Sequence, residues 1–238
     1  MIAHDKTDLG GGLYCYQPFD GPRFSLDALA LAHLAPKAKK VLELGTASGV
    51  VSFIYHRLHP QSQVVGIDLF LELIVLANKA KSEQNLEGIA FQQGDVRHFS
   101  KELRGFDLVL VNPPYFRKGE GKPAKNERLS CARSEERANL ADFLKAGAKA
   151  LCDLGYLLVI LPPFRLSDAI FEGRLCGLHA ERLMPIASYH NEEAVLFLLT
   201  FQKSGKHPLV IDAPLVFYDA PGQYSPQVAS WYEGDAHA

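Results

Sequence analysis

Cysteine is scarce and poorly placed for chemistry. The four cysteines, Cys15, Cys131, Cys152 and Cys176, never reach C-x-x-C spacing, which excludes a metal framework and a secreted disulfide scaffold. Long hydrophobic runs are missing too. The stretches Tyr156 to Phe164 and Ala194 to Phe201 fall well short of the ~20 apolar residues that span a bilayer. The N-terminus, Met-Ile-Ala-His-Asp, lacks the basic and apolar regions of a signal peptide. Charge of one sign is not in excess. A net charge of -2 excludes wholesale coating of nucleic acid, though not a local basic patch. No repeat, low-complexity tract or Pro/Gly/Ser linker divides the chain. The expectation is one soluble cytoplasmic domain over residues 1–238, monomeric and without a metal.

What is present alternates. Residues 1–22 are rich in glycine and polar groups and read as a loosely ordered arm. Leu26, Leu29, Ala30, His33 and Leu34 have helical spacing, ended by Pro36. Strands follow at Val41–Leu44, Val64–Ile67, Ile89–Gln92 and Phe106–Val111, with helices at Val50–Leu58 and from Asp68 to about Asn85. Ser134, followed by Glu135 and Glu136, reads as the cap of a helix reaching about Leu151. Tyr156–Leu161 is a further strand. Near-continuous apolar strands between helices predict an α/β fold, a mostly parallel sheet with helices on both faces. Arg182–Ser188, Ala194–Gln202 and Leu209–Tyr218 have less helix between them and predict an antiparallel C-terminal edge, with residues 203–238 as an extension. His56 and His59 sit at a helix end with no third ligand and read as surface residues.

Three features carry chemistry. Glu43-Leu44-Gly45-Thr46-Ala47-Ser48-Gly49 is a turn between the first core strand and its helix. It lacks the G-K-[ST] of a P-loop and the glycine spacing of a dinucleotide fingerprint. It resembles the first motif of class I S-adenosylmethionine-dependent methyltransferases, an acid followed by G-x-G-x-G, with Ala47 in place of the middle glycine. Asp68, 19 residues after Gly49, ends the second core strand, where an acid can accept bonds from ribose hydroxyls. Asp95, in Gly94-Asp95-Val96, ends the third; in methyltransferases of this class the equivalent acid contacts the adenine amino group.

Asn112-Pro113-Pro114-Tyr115 ends the fourth strand. A planar amine or amide nitrogen is a poor nucleophile because its lone pair is delocalised. The Asn112 side-chain carbonyl and the Pro113 backbone carbonyl can accept its two N–H bonds and draw it toward tetrahedral geometry. The prolines preorganise these acceptors, and Tyr115 can stack on a flat substrate. The motif suits adenine N6, cytosine N4 and glutamine N5 alike. The segment from Arg117 to Arg133 carries a local excess of four positive charges, suited to phosphate contacts or simply to solvent. Phe24, Ser25 and Asp27 form a lid over the cofactor or cap the first helix, and the sequence leaves both readings open.

Arg23-Phe24-Ser25-Leu26-Asp27-Ala28, Val41-Leu42-Glu43-Leu44-Gly45, Asn112-Pro113-Pro114-Tyr115-Phe116 and Ala132-Arg133 together resemble the bacterial tRNA adenine-N6 methyltransferases acting beside the anticodon of a valine tRNA. The tail segments Pro214 to Asp219 and Tyr224 to Val228 fit as well. The resemblance implies a Rossmann-like, seven-stranded class I sheet, S-adenosylmethionine as cofactor and tRNA as partner. By that resemblance Glu43, Gly45, Thr46, Gly49, Asp68, Asp95, Val96 and Asn112 line the cofactor site. Asn112, Pro113, Pro114 and Tyr115 are catalytic, and Phe116, Arg117, Lys118 and Arg133 bind substrate. Two alternatives stand beside it: a glutamine N5-methyltransferase acting on release factors, disfavoured by the short segment before the core, and a non-catalytic RNA- or cofactor-binding module.

Overall fold

The computed structural model describes residues 3–19, 25–100, 102–115 and 138–233. Its first element corrects an expectation. Residues 4–18 are not a loose arm but an antiparallel hairpin of β1 (His4–Asp8) and β2 (Tyr14–Pro18). The polar sequence of β1 hides this; Leu9, Leu13 and Cys15 join the buried core, and side-chain hydrogen bonds add to the docking. Gln84 receives the Tyr14 N–H at 3.0 Å and donates to the Tyr14 carbonyl at 2.9 Å, as a neighbouring strand would. The Tyr14 and Tyr16 hydroxyls both donate to Glu83, and the Lys79 ammonium sits 4.0 Å from the Tyr16 ring centroid.

The α/β alternation then follows: α1 (Leu26–Leu34), β3 (Lys40–Leu44), α2 (Val50–Leu58), β4 (Gln63–Asp68), α3 (Leu71–Glu83), β5 (Ile89–Gln93) and β6 (Phe106–Val111). After the segment outside the described residues come α4 (Leu140–Ala150), β7 (Leu151–Leu161), α5 (Leu166–Leu175), β8 (Leu178–Ala187) and β9 (Ala194–Lys203). The tail adds β10 (Val210–Ile211), β11 (Leu215–Val216), β12 (Tyr218–Ala220), β13 (Gln223–Tyr224) and α6 (Pro226–Glu233).

Seven strands form the body of the sheet in the order β5-β4-β3-β6-β7-β9-β8, and β10 and β11 each pair in parallel with β8. All neighbours from β5 to β7 are parallel. The antiparallel reversal comes at β9, which lies between β7 and β8 and pairs with both. Alternate residues of each central strand feed opposite layers: Leu108 and Leu110 pack with α1, α2 and α3, while Val109 and Val111 pack with α4 and α5.

Other boundaries differ from expectation. The helix before β7 starts at Leu140, with Asn139 and Asp142 forming a reciprocal capping box; the proposed cap at Ser134 lies outside the described residues. The expected strand Leu209–Tyr218 is broken into β10 and β11, because Pro214 has no N–H to give a ladder. Helices α5 and α6 were not anticipated. His56 is buried rather than on the surface, with Nδ1 3.2 Å from the Ser62 carbonyl.

Truncating Gln84 removes both clamps on Tyr14. Gln84→Ala is expected to destabilise the hairpin by ~1–2 kcal/mol, read as faster amide exchange across residues 4–18 with the central sheet unchanged. Unaltered exchange there would show that the buried Leu9, Leu13 and Cys15, with Glu83, hold the hairpin without it.

Candidate active site

Four consecutive sheet positions end at one edge. Leu44 is level with Ile67 and with Val111, and Asp68 is level with Gln93. Gly45, Asp68, Gly94 and Asn112 therefore all emerge at the carboxyl ends of β3, β4, β5 and β6. Three inter-strand spacings of ~4.8 Å separate the outer two strands by about 14 Å. The chain runs outward from β3 to β4 and β5 on one side and resumes with β6 on the other, which is the reversal where such sheets bind ligands.

The turn after β3 is held from both sides. The Gly45 and Thr46 N–H groups both donate to the Ile67 carbonyl at 2.9 Å. Gly49 has φ +87, and a Cβ there would lie 2.6 Å from the Phe91 ring, so only glycine fits. Ala47, in the middle-glycine position, has φ +48, a left-handed conformation unusual for a residue with a Cβ. Its N–H donates to Asp68 at 2.9 Å, which holds it there.

Glu43 is buried and its Oε2 accepts from the Thr46 hydroxyl and from the Ser52 hydroxyl and N–H. It braces the turn from within the protein. Burial pushes its carboxyl up to about 7, against the lowering effect of those hydrogen bonds. Asp68 is also buried, and desolvation raises it in the same direction. Its two oxygens accept from the Ala47 and Phe70 N–H groups, and a carboxylate has lone pairs left for two further donors.

Asp95 behaves oppositely. It caps the 3-10 turn Val96–His98 and receives a fork from Arg97, Nε at 3.0 Å and Nη2 at 2.6 Å, plus the Arg97 N–H. The Arg97 hydrogen bond leads in holding its carboxyl down at about 2. An amino group arriving at Asp95 meets an ionised carboxylate already shared with a guanidinium. Val96 is half-buried beside it against the α4 layer.

At the end of β6, Pro113 is buried and Asn112, Pro114 and Tyr115 are half-buried. The Tyr115 hydroxyl is 2.9 Å from Asn112 Oδ1 and 2.5 Å from Asp27 Oδ2. Burial, and next the Asp27 charge, push the phenol well above its usual range. Asp27 Oδ1 in turn accepts from the Ser25 hydroxyl and the Ala28 N–H. The start of α1 is thus tied to the Asn-Pro-Pro-Tyr motif across 88 positions of sequence. The sequence alone leaves Asp27 between a lid and a cap, and its bond to Tyr115 has no local signature. Phe116, Arg117, Lys118, Arg133 and the rest of the basic stretch lie outside the described residues, as does Phe24. Among the described residues no three metal-ligating side chains gather, and no helix is long and apolar enough to cross a membrane.

Strand order and the glycine turn give the Rossmann-like fold of class I methyltransferases, and residues 35–151 match the family model of a methyltransferase domain. The fold is shared with a predicted O-methyltransferase from Agrobacterium tumefaciens, at TM-score 0.69 and 19% identity, covering 90% of this chain and 98% of that one. Curated relatives extend along nearly the whole chain. The tRNA1(Val) (adenine(37)-N6)-methyltransferase of Actinobacillus pleuropneumoniae is 26% identical over 94% of this chain and 89% of its own. The protein of the same name from Proteus mirabilis is 25% identical over 97% and 88%.

Two outcomes follow from the turn. A left-handed alanine costs ~1–2 kcal/mol, of which glycine's greater chain entropy returns ~0.5–1. Ala47→Gly is therefore expected to raise the Tm by about 2 °C; a lower Tm would show that the Ala47 methyl group packs favourably. Glu43, raised in the folded state, ionises first in the unfolded chain, so its contribution is full below pH 4.5 and falls as pH rises to about 7. Glu43→Gln should flatten the decline of Tm between pH 5 and 7 relative to the parent. Identical slopes would mean that Glu43 is ionised in the fold.

Proposed function

We propose that this protein transfers a methyl group from S-adenosylmethionine to the exocyclic N6 of an adenine in tRNA. The observation that carries the reading is Asn112 joined to Tyr115 at the end of β6, next to the glycine turn, in a chain aligned almost end to end with enzymes named for that reaction. With tRNA as substrate, the expected compartment is the cytoplasm.

The residues at the edge fit the cofactor's shape. Gly45 and Gly49 keep side chains away from the turn, Thr46 is held inward by Glu43, and Asp68 retains lone pairs for two ribose hydroxyls. Asp95, shared with Arg97, and Val96 stand where an adenine ring would end. Bound there, the cofactor supplies an activated methyl group; the protein's own residues do the rest by position. Asn112 Oδ1 and the Pro113 carbonyl accept the two N–H bonds of the amine and turn its lone pair toward the cofactor. Tyr115, pinned by its hydroxyl, offers a ring face to the extruded base. Phe116, Arg117, Lys118 and Arg133 are assigned to the flanking RNA by their sequence position after the motif. No general base is invoked, because a nitrogen that attacks as the neutral amine sheds its proton after transfer.

With the cofactor and unmodified tRNA, the purified protein should form N6-methyladenosine by nucleoside mass spectrometry. Asn112→Ala should lower that rate by on the order of 100-fold, with cofactor affinity held within a few-fold. Cofactor binding without methyladenosine from any tRNA would reject the reading and turn attention to the glutamine of release factors.

A further inference from the structure

A phenol has one proton. The Tyr115 hydroxyl nonetheless faces two acceptors, the Asp27 carboxylate at 2.5 Å and the Asn112 amide oxygen at 2.9 Å, and it can donate to only one. The carboxylate wins on chemistry and on distance: a charged oxygen is the stronger acceptor, and ~2.5–2.7 Å is the usual length of an O–H···O⁻ bond. Asp27 cannot turn away, because its other oxygen is held by the Ser25 hydroxyl and the Ala28 N–H at the start of α1. The phenol oxygen then has only lone pairs to show Asn112. A half-turn of the amide, which leaves its outline unchanged, answers with Nδ2–H and leaves both lone pairs of Oδ1 unclaimed by Tyr115.

We infer that Asp27 is a positioning residue for the transfer: by taking the Tyr115 proton it keeps the Asn112 carbonyl oxygen free for the substrate amine. This rests on the reading of Asn112 as the acceptor for that amine. Without Asp27, the acceptor left to that proton among the described residues is Asn112 Oδ1, and the phenol competes with the substrate for the acceptor that activates it. The network runs from Ser25 and Ala28 through Asp27 and Tyr115 to Asn112, so the N-terminal end of α1 acts on the reaction without touching the reacting atoms.

The test is a double-mutant cycle on methyladenosine formation, with an NMR arm that does not depend on activity. Asp27→Ala should lower kcat ~10-fold, the value of one misplaced hydrogen bond, while KM for tRNA and cofactor affinity stay within twofold. Asp27→Asn keeps an oxygen acceptor and should recover most of that loss. In a Tyr115→Phe background no proton remains to be misplaced, so adding Asp27→Ala should cost nothing further in kcat. An equal factor in both backgrounds, or a loss confined to cofactor affinity, overturns the inference. Independently, the parent protein should show a slowly exchanging, downfield Tyr115 hydroxyl proton that disappears in Asp27→Ala; its absence from the parent also overturns it. If the parent methylates no RNA yet shows that resonance, the functional reading fails while the Tyr115–Asp27 bond stands, which separates the two.

Discussion

Leu44 stands level with Ile67 on one side and Val111 on the other, and that common level decides where every polar group of the site can be. A parallel sheet allows it because each crossover, by helices after β3 and β4 and by the 3-10 turn Val96–His98 after β5, returns the chain to the same end. A shift by one residue in β4 or β6 would rotate Asp68 or Asn112 to the opposite face. The apolar residues prevent such a shift, since Leu108 and Leu110 fill one helix layer and Val109 and Val111 the other. The common level of the strand ends is inherited from core packing, and the bonds of Glu43, Asp68 and Asp27 then fix the groups that stand on it.

The edge also sorts its acids by environment. Glu43 and Asp68 are buried, and desolvation raises both; each is satisfied by the turn beside it. Asp95 lies nearer solvent and is lowered by the Arg97 fork. Three carboxylates at neighbouring strand ends therefore do different work. One braces, one braces while offering further lone pairs, and one holds a fixed negative charge. Ala47 follows the same logic, since the Asp68 carboxylate that captures its N–H lies at the end of the next strand.

Periodicity and strand-end residues made the central α/β unit legible. Lys40–Leu44, Gln63–Asp68, Ile89–Gln93 and Phe106–Val111 sit within a residue or so of the spans their apolar runs predict, and Gly45, Asp68, Asp95 and Asn112 fall at one edge as their positions implied. What escaped reading is held by contacts without a local pattern. The β1–β2 hairpin docks on the core and on Gln84, some 70 positions away, and the Tyr115–Asp27 bond spans 88. Helices α5 and α6 present only modest apolar periodicity, and the exposed Phe171 and Leu175 of α5 run against the face that it buries. Asp95 is legible as a strand-end acid, but its pairing with Arg97 two residues on is a side-chain contact that no periodicity marks.

Transfer to the N6 of an adenine in tRNA is tested most directly by following the label to its nucleoside. Unmodified tRNA is incubated with the protein and isotopically methyl-labelled cofactor, digested to nucleosides, and the label in N6-methyladenosine is counted against that in every other methylated nucleoside. The account predicts label in N6-methyladenosine alone. Label in another nucleoside, with none in N6-methyladenosine, would contradict it.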